Sequence, residues 1–199
     1  MRVLATLVAS LLLSGVARAE TVAPQLAITS VTSSGTACPQ GSTSVDVSED
    51  KKALTVLFAK YALEIGPAVR RSFDFKQCNV SIRVKAPAGW SFAPYNFDYR
   101  GFANLTANTY ALFRTFYFFN GIYRHFDQTS QRGVLADEFT HRVSMSNAPI
   151  WSSCNGSPQE IRIASQAWLY GKEGAWNLDS LDGEIGKSQT LGLLWKRCH

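Results

Sequence analysis

Hydrophobic and polar residues alternate along several short stretches of the chain. The stretch from Val80 to Lys85 alternates strictly, and residues 54–59, 161–164 and 191–196 follow the same pattern. A period of two residues is typical of a β-strand with one buried face. Gly, Pro, Asn and Ser separate these stretches, and no long segment has the 3.6-residue period of a helix. The pattern predicts an all-β fold, an antiparallel β-sandwich of jelly-roll-like or immunoglobulin-like type.

Two central stretches are rich in aromatic residues. In the first, Tyr95, Phe97 and Tyr99 are expected to share one face of a strand, opposite mostly polar neighbours. In the second, residues 109–126, both sets of alternating positions contain hydrophobic side chains. This second pattern is typical of a strand that is covered on both faces.

The beginning of the chain has the features of a secretory signal peptide over residues 1–19. A positively charged start precedes the apolar run from Val3 to Leu13, and Ala17-Arg18-Ala19 offers a cleavage site. The run is too short to cross a bilayer, which takes about 20 residues in a helix. We therefore expect residues 20–199 to form a single secreted domain, extracellular or periplasmic, without a transmembrane anchor.

Composition and charge narrow the range of partners. The chain has 199 residues, of which 46% are hydrophobic and 18% charged, so a disordered, collagen-like or coiled-coil protein is excluded. The formal net charge is +5, but the basic residues do not form a run. We therefore expect no nucleic-acid partner. We also expect the protein to be a monomer.

Four cysteines, an even number, lie in a chain that is expected to leave the reducing cytosol. Cys38, Cys78, Cys154 and Cys198 therefore predict two disulfides. None stands in a Cys-x-x-Cys pair and no histidine has the spacing of a zinc site, so we expect neither a metal nor a cofactor. Three pairings are possible. We expect Cys38 with Cys78 and Cys154 with Cys198, which closes one loop in each half of the chain.

Six short motifs follow one another in an order that resembles a known family. They are Cys38-Pro39-Gln40-Gly41-Ser42, Ile65-Gly66-Pro67, Asp98-Tyr99-Arg100-Gly101, Trp151-Ser152-Ser153-Cys154, Asp179-Ser180-Leu181-Asp182-Gly183 and Trp195-Lys196-Arg197-Cys198. Together they resemble the small secreted proteins of fungi and bacteria grouped as domain of unknown function 4360, from about Leu26 to Cys198. The resemblance implies export, four cysteines and a largely β domain. It implies no activity and no catalytic residue.

Four residues are the candidates for ligand binding. Trp90 and Trp176 stand in loop-like segments that contain glycine, where we expect them at the surface, and flat aromatic rings stack on sugar faces. Asp98 and Arg100 are two residues apart on one strand face, where they bind a sugar hydroxyl or carboxylate or form an ion pair with each other. The first hypothesis is a non-enzymatic protein that binds a cell-wall polysaccharide or another extracellular protein.

Two other functions are weighed against binding. A small hydrolase would use Asp137, Glu138 and His141, whose carboxylates and imidazole are suited to acid and base chemistry. On a helix Glu138 and His141 would share a face, whereas on a strand they would point to opposite faces. A membrane-active β domain would use the aromatic stretch from Phe113 to Phe126.

The remaining motifs have simpler explanations. Asp179, Asp182 and Glu184 surround Gly183, but they lack the further oxygen ligands of a calcium loop and are expected to form a turn. Three sequons, at Asn79, Asn104 and Asn155, are glycan acceptors if the host is eukaryotic.

Overall fold

The computed structural model describes residues 24–145, 148–178 and 188–199, with side chains from residue 191 in the last range. The predicted signal peptide and the expected turn at Asp179–Glu184 lie outside these residues. All regular elements in the described part of the chain are β-strands, and no helix there is long and apolar enough to cross a membrane. The prediction of an all-β fold is confirmed.

The twelve strands form two antiparallel sheets. The five-stranded sheet contains β1 (Ala27–Ser34), β5 (Phe73–Lys85), β7 (Tyr110–Phe119), β8 (Ile122–Arg132) and β10 (Gln159–Tyr170). The strand order is β1-β5-β10-β7-β8. β8 therefore lies at one edge of this sheet.

The second sheet is built around one long strand. It contains β2 (Thr43–Val47), β3 (Ala53–Phe58), β4 (Ala62–Ile65), β6 (Trp90–Leu105), β9 (Leu135–Ser144), β11 (Gly174–Asn177) and β12 (Ser188–Arg197). The path through the sheet is β2-β3-β12-β6-β11-β4, and β9 pairs with β6 off this path. The first part of β6 pairs with β12 and its last part with β11, while β9 pairs with residues 96–105 of β6.

The core lies between the two sheets and is built from alternating positions of the strands. In β7 the inward residues, from Ala111 to Phe119, are all buried, whereas the outward residues keep part of their surface exposed. The predicted burial of both faces is therefore wrong for the outward residues. They are shielded by neighbouring side chains of the same sheet instead, among them Arg162 over Phe118.

A β-bulge in β6 changes the direction of one aromatic side chain. The pairing with β12 runs from Asn96 opposite Gly192 to Pro94 opposite Leu193, so Tyr95 has no partner of its own. An extra residue reverses the alternation beyond it. Phe97 and Tyr99 are buried while Tyr95 is 40% exposed. The expectation that Tyr95 shares their face is wrong, because a bulge is not visible in the alternation of residue types.

The expected disulfides are both present. Cys38 bonds to Cys78 and Cys154 bonds to Cys198, and the described residues contain no free cysteine. The first bond joins the segment after β1 to β5. The second joins the loop before β10 to the end of β12.

Removal of either disulfide is expected to lower the free energy of unfolding by roughly 4 kcal/mol, because the unfolded chain regains the freedom of a loop. The bridged residues are 40 and 44 positions apart, so Cys38→Ser with Cys78→Ser and Cys154→Ser with Cys198→Ser should cost similar amounts. Urea unfolding followed by tryptophan fluorescence measures both. An unchanged midpoint in either double variant would contradict the prediction.

Candidate functional site

Trp90 lies at the rim of a shallow depression with a volume of about 350 Å³. Beside Trp90, the depression is lined by Pro24, Lys52, Tyr95, Leu193, Leu194 and Trp195. The Trp90 ring meets Trp195 edge to face at 6.5 Å, and the Arg197 guanidinium lies 5.1 Å from its centroid. Trp195 is held in turn by a hydrogen bond of 2.8 Å from its Nε1 to the carbonyl of Lys51. Trp90 and Trp195 are thus held in place by contacts within the protein.

Gly192 of β12 packs against Tyr95, which lines this depression. A Cβ atom at Gly192 would lie 1.8 Å from Asn96 Oδ1 and 2.8 Å from the Tyr95 ring, so only glycine lets these two side chains lie flat on β12. Asn96 Oδ1 is buried and accepts no hydrogen bond from the described residues. This oxygen is buried and Asn96 does not line the depression, so it is not a contact for a ligand there.

Asp98 pairs with Arg142 and not with Arg100. The Arg142 guanidinium donates to both carboxylate oxygens of Asp98, at 3.0 to 3.2 Å. Asp98 and Arg142 are directly opposite each other on β6 and β9. A cross-strand neighbour lies about 5 Å away, whereas residues two apart on a strand are separated by about 7 Å. The hydrogen bonds and the negative charge of Asp98 raise the pKa of Arg142. Arg100 is exposed.

Trp176 is buried, so its expected place at the surface is wrong. It belongs to β11, an inner strand between β4 and β6, and is 2% exposed. Its Nε1 donates to Gln131 Oε1 at 2.7 Å, and Phe139 stacks on its ring at 5.5 Å. Phe139 also covers Gly101, where a Cβ atom would lie 2.5 Å from the Phe139 ring. The glycines near Trp176 belong to a short strand and its approach, not to an exposed loop.

The residues of the predicted hydrolase do not form one cluster. Asp137, Glu138 and His141 all lie on β9, where Glu138 points away from the face that carries Asp137 and His141. His141 pairs instead with Asp127 of β8, at 3.0 Å between Nε2 and Oδ2. This pair was not found from the sequence because it joins two edge strands of different sheets.

The His141–Asp127 pair continues into the core through two tyrosines. The Tyr99 hydroxyl donates to Asp127 Oδ2 at 3.4 Å, and the Tyr117 hydroxyl donates to that of Tyr99. The imidazole also stacks on the Tyr99 ring at 5.6 Å. This series of hydrogen bonds connects β9 of one sheet with β8 and β7 of the other.

Burial raises the pKa of Tyr99 far above its usual value near 10, because the phenolate would lose its hydration in the core. Tyr61, fully buried and hydrogen-bonded to Ser165 at 3.1 Å, has a raised pKa for the same reason. Both hydroxyls are therefore neutral donors over the physiological pH range.

The outward face of the five-stranded sheet carries alternating aromatic and arginine side chains. Three arginines lie over three rings. Arg132 lies 4.8 Å from the Tyr110 centroid, Arg114 lies 5.2 Å from Trp168, and Arg162 lies 3.9 Å from Phe118. We call this surface the arginine face. None of the three guanidiniums has a carboxylate partner in the described part of the chain.

A second depression lies at one end of the arginine face. Its volume is about 410 Å³, and it is lined by Asn108, Thr109, Tyr110, Arg132, Gly133 and Tyr170. The rings of Tyr110 and Tyr170 pack at 4.8 Å, and Tyr170 is 44% exposed. The arginine face was not found from the sequence, because its residues come from separate strands.

The three predicted glycosylation sites remain predictions. Asn79, Asn104 and Asn155 are all exposed, as glycan acceptors must be. Asn155 Oδ1 also accepts hydrogen bonds from the Ser153 hydroxyl and the Ser157 amide, both at 2.9 Å. No group of three or more metal-ligating side chains occurs in the part of the chain that the structure describes.

Comparison with known proteins places the chain in a family. A family model described as domain of unknown function (DUF4360) matches residues 24–198. The chain belongs to the DUF4360 family. A relative from Arthroderma benhamiae, described as an uncharacterized secreted protein, is 31% identical over an alignment of 180 residues, and the match covers 86% of this chain and 71% of the relative. A secreted relative and two disulfides fit an extracellular protein.

Two solved structures are distantly similar. TmCBM61 in complex with β-1,4-galactotriose has a TM-score of 0.33 and 11% identity, over 85% of this chain and 89% of that one. The GH31 α-xylosidase of Xanthomonas citri has a TM-score of 0.17 and 7% identity, over 73% of this chain and 20% of that one. Likenesses this low carry no argument about the ligand of this DUF4360 protein.

Alkaline pH is expected to destabilise the fold through Tyr61 and Tyr99. The folded-state pKa of each is raised, so their contribution is complete below the unfolded value of about 10 and is lost as pH rises beyond it. In a pH titration, at least two tyrosines should remain without phenolate absorbance until the protein unfolds. Tyr99→Phe should make the alkaline loss of stability shallower. Ionisation of all tyrosines near pH 10 in the folded protein would contradict the prediction.

Proposed function

We propose that this protein is a secreted, non-enzymatic polysaccharide-binding protein whose ligand lies in the depression beside Trp90. The observation that carries the proposal is the convergence of Trp90, Tyr95 and Trp195 on one depression of about 350 Å³. Rings of this kind pack against the C–H faces of sugars and supply large contact area with few rotatable bonds.

The rings are held in place, which favours binding. Trp195 packs against the buried Phe92 at 5.7 Å and donates to the Lys51 carbonyl. Trp90 meets Trp195 edge to face, and the Arg197 guanidinium lies over the Trp90 ring. A ligand that meets fixed rings loses less free energy to ordering the protein than one that must immobilise mobile side chains.

A polar group beside the rings fits hydroxyl-bearing ligands. Lys52 lines the same depression as Trp90, Tyr95 and Trp195. A sugar presents an apolar face to the rings and hydroxyl oxygens that accept hydrogen bonds from the Lys52 ammonium group.

The lining of the depression argues for binding instead of hydrolysis. Glycoside hydrolysis takes two carboxyl groups that flank one bond. The described residues that line the depression include no Asp or Glu. Asp98, on the same strand, already has both carboxylate oxygens engaged by Arg142.

Trp90→Ala is expected to weaken binding to the polysaccharide roughly tenfold to a hundredfold, because the ring that the ligand contacts is removed. The mature protein is first tested for retention on insoluble cellulose, chitin, β-glucan and xylan. Titration calorimetry with a soluble oligosaccharide of the retained polymer then measures the affinity. Tyr95→Ala should weaken binding as well.

Phe73→Ala is the matched control, because it removes an exposed ring of the other sheet that lines neither depression, and it should leave this affinity unchanged. Retention of the parent protein on none of the four polymers would refute the proposal. Equal affinities of Trp90→Ala and the parent would exclude this depression as the site.

A further inference from the structure

The arginine face combines cationic and aromatic side chains on a surface that contains almost no negative charge. All five strands of its sheet are described, and Glu160 is the one acidic side chain among their outward positions. Glu160 lies 3.9 Å from Arg83, at the opposite end of β10 from Tyr170. Arg114, Arg132 and Arg162 thus form no ion pair with a carboxylate of the described residues.

We propose that the arginine face is a second binding site, which takes a polysaccharide with carboxylate groups, such as a polymer of uronic acids. The site is separate from the depression beside Trp90 and does not depend on it. The ligand lies along the outward face of the five-stranded sheet, and its carboxylates pair with Arg132, Arg114 and Arg162.

The guanidinium groups are restrained in a way that favours binding of a planar anion such as a carboxylate. Each guanidinium lies over a ring, so its own plane is restrained while its N–H edges remain available to a ligand. Arg114 is restrained further by a hydrogen bond of 2.6 Å from Nε to Gln128 Oε1. The N–H edge of a guanidinium matches the two oxygens of a carboxylate. A restrained arginine also loses less side-chain entropy on binding.

The three arginines follow a regular diagonal across the sheet. Arg132 is opposite Tyr110, and Arg162 is opposite Phe118, while Arg114 lies midway between these two residues on β7. Along the strand direction, each arginine is thus four residues from the next, which is about 14 Å at the rise of a β-strand. The arginines come from three adjacent strands, β8, β7 and β10. An extended polymer with repeated carboxylates is able to meet all three, whereas a single sugar meets one.

The depression at the Arg132 end gives the polymer a place for sugar rings. Tyr170 exposes 44% of its surface beside Tyr110, and Asn108 offers an amide within the same depression. The apolar ring and the amide are suited to the neutral part of a sugar, while Arg132 is suited to its carboxylate.

Two other polyanionic partners fit the face less well. Single-stranded nucleic acid binds by stacking of its bases on open rings, but the outward ring faces of Tyr110, Trp168 and Phe118 lie beneath guanidiniums. A lipid surface is bound through a contiguous apolar patch. Here three arginines interrupt the apolar surface, at the levels of Tyr110, Arg114 and Phe118 of β7.

The test compares polygalacturonate with its methyl ester, which has the same backbone but no charge. Calorimetry with the full mature protein should give binding to polygalacturonate that weakens with added salt, and at least tenfold weaker binding to the ester. Affinity should rise with the length of the oligomer until one molecule contacts all three arginines.

Each single variant, Arg114→Gln, Arg132→Gln or Arg162→Gln, should weaken binding on the order of threefold to tenfold, and the triple variant on the order of a hundredfold or more. Arg100→Gln is the matched control, because it removes the same charge from an exposed position on the other sheet. Its affinity should equal that of the parent. If the triple variant does not fold, as judged by circular dichroism, the three single variants decide the outcome.

Several outcomes would overturn this proposal. They are failure of the parent to bind polygalacturonate, equal binding to the methyl ester, and equal losses in Arg100→Gln and the three arginine variants. Tighter binding of single-stranded DNA or of phosphatidylserine vesicles, lost in the triple variant, would assign the face to those partners instead. Trp90→Ala should bind polygalacturonate normally, so a failure of the neutral polysaccharide site is distinguished from a failure of this one.

Discussion

Contact between aromatic rings of the two sheets holds this DUF4360 protein together. Phe97 of β6 stacks on Tyr117 of β7 at 3.4 Å, and Tyr99 meets Phe113 edge to face at 5.2 Å. Trp176 of β11 packs on the same Phe113. Because side chains alternate along a strand, each inward ring fixes the direction of its two neighbours. The inward rings thus determine which side chains of β6 and β7 are available for binding.

The two surfaces suited to binding follow from this arrangement in different ways. The depression beside Trp90 depends on irregularity, since a bulge turns Tyr95 outward and Gly192 lets it lie flat. The arginine face depends on regularity, since unbroken pairing of β10 with β7 brings Arg162 over Phe118. A β-bulge creates a local depression, whereas regular strand pairing creates an extended surface.

The sequence predicted those features that depend on neighbouring residues. Strict alternation located the strand at Val80 to Lys85, and four cysteines in a chain expected to be exported predicted the two disulfides. Features that depend on strand order could not be predicted. Trp176 was expected at the surface because glycines precede it, but pairing on both sides of β11 buries it. The pairing of His141 with Asp127 joins edge strands of two sheets, and no local pattern of residues shows which edge strands lie next to each other.

The position of β12 affects how the protein is made. This strand, residues 188–197, lies between β3 and β6, yet it is the last of the twelve along the chain. During synthesis β3 and β6 therefore leave the ribosome with facing backbone edges that have no partner. Open edges of this kind are sites of aggregation, so the nascent chain is exposed to incorrect strand pairing until β12 has been made. The bond between Cys154 and Cys198 forms after β12 is complete, and it then secures the final strand against fraying.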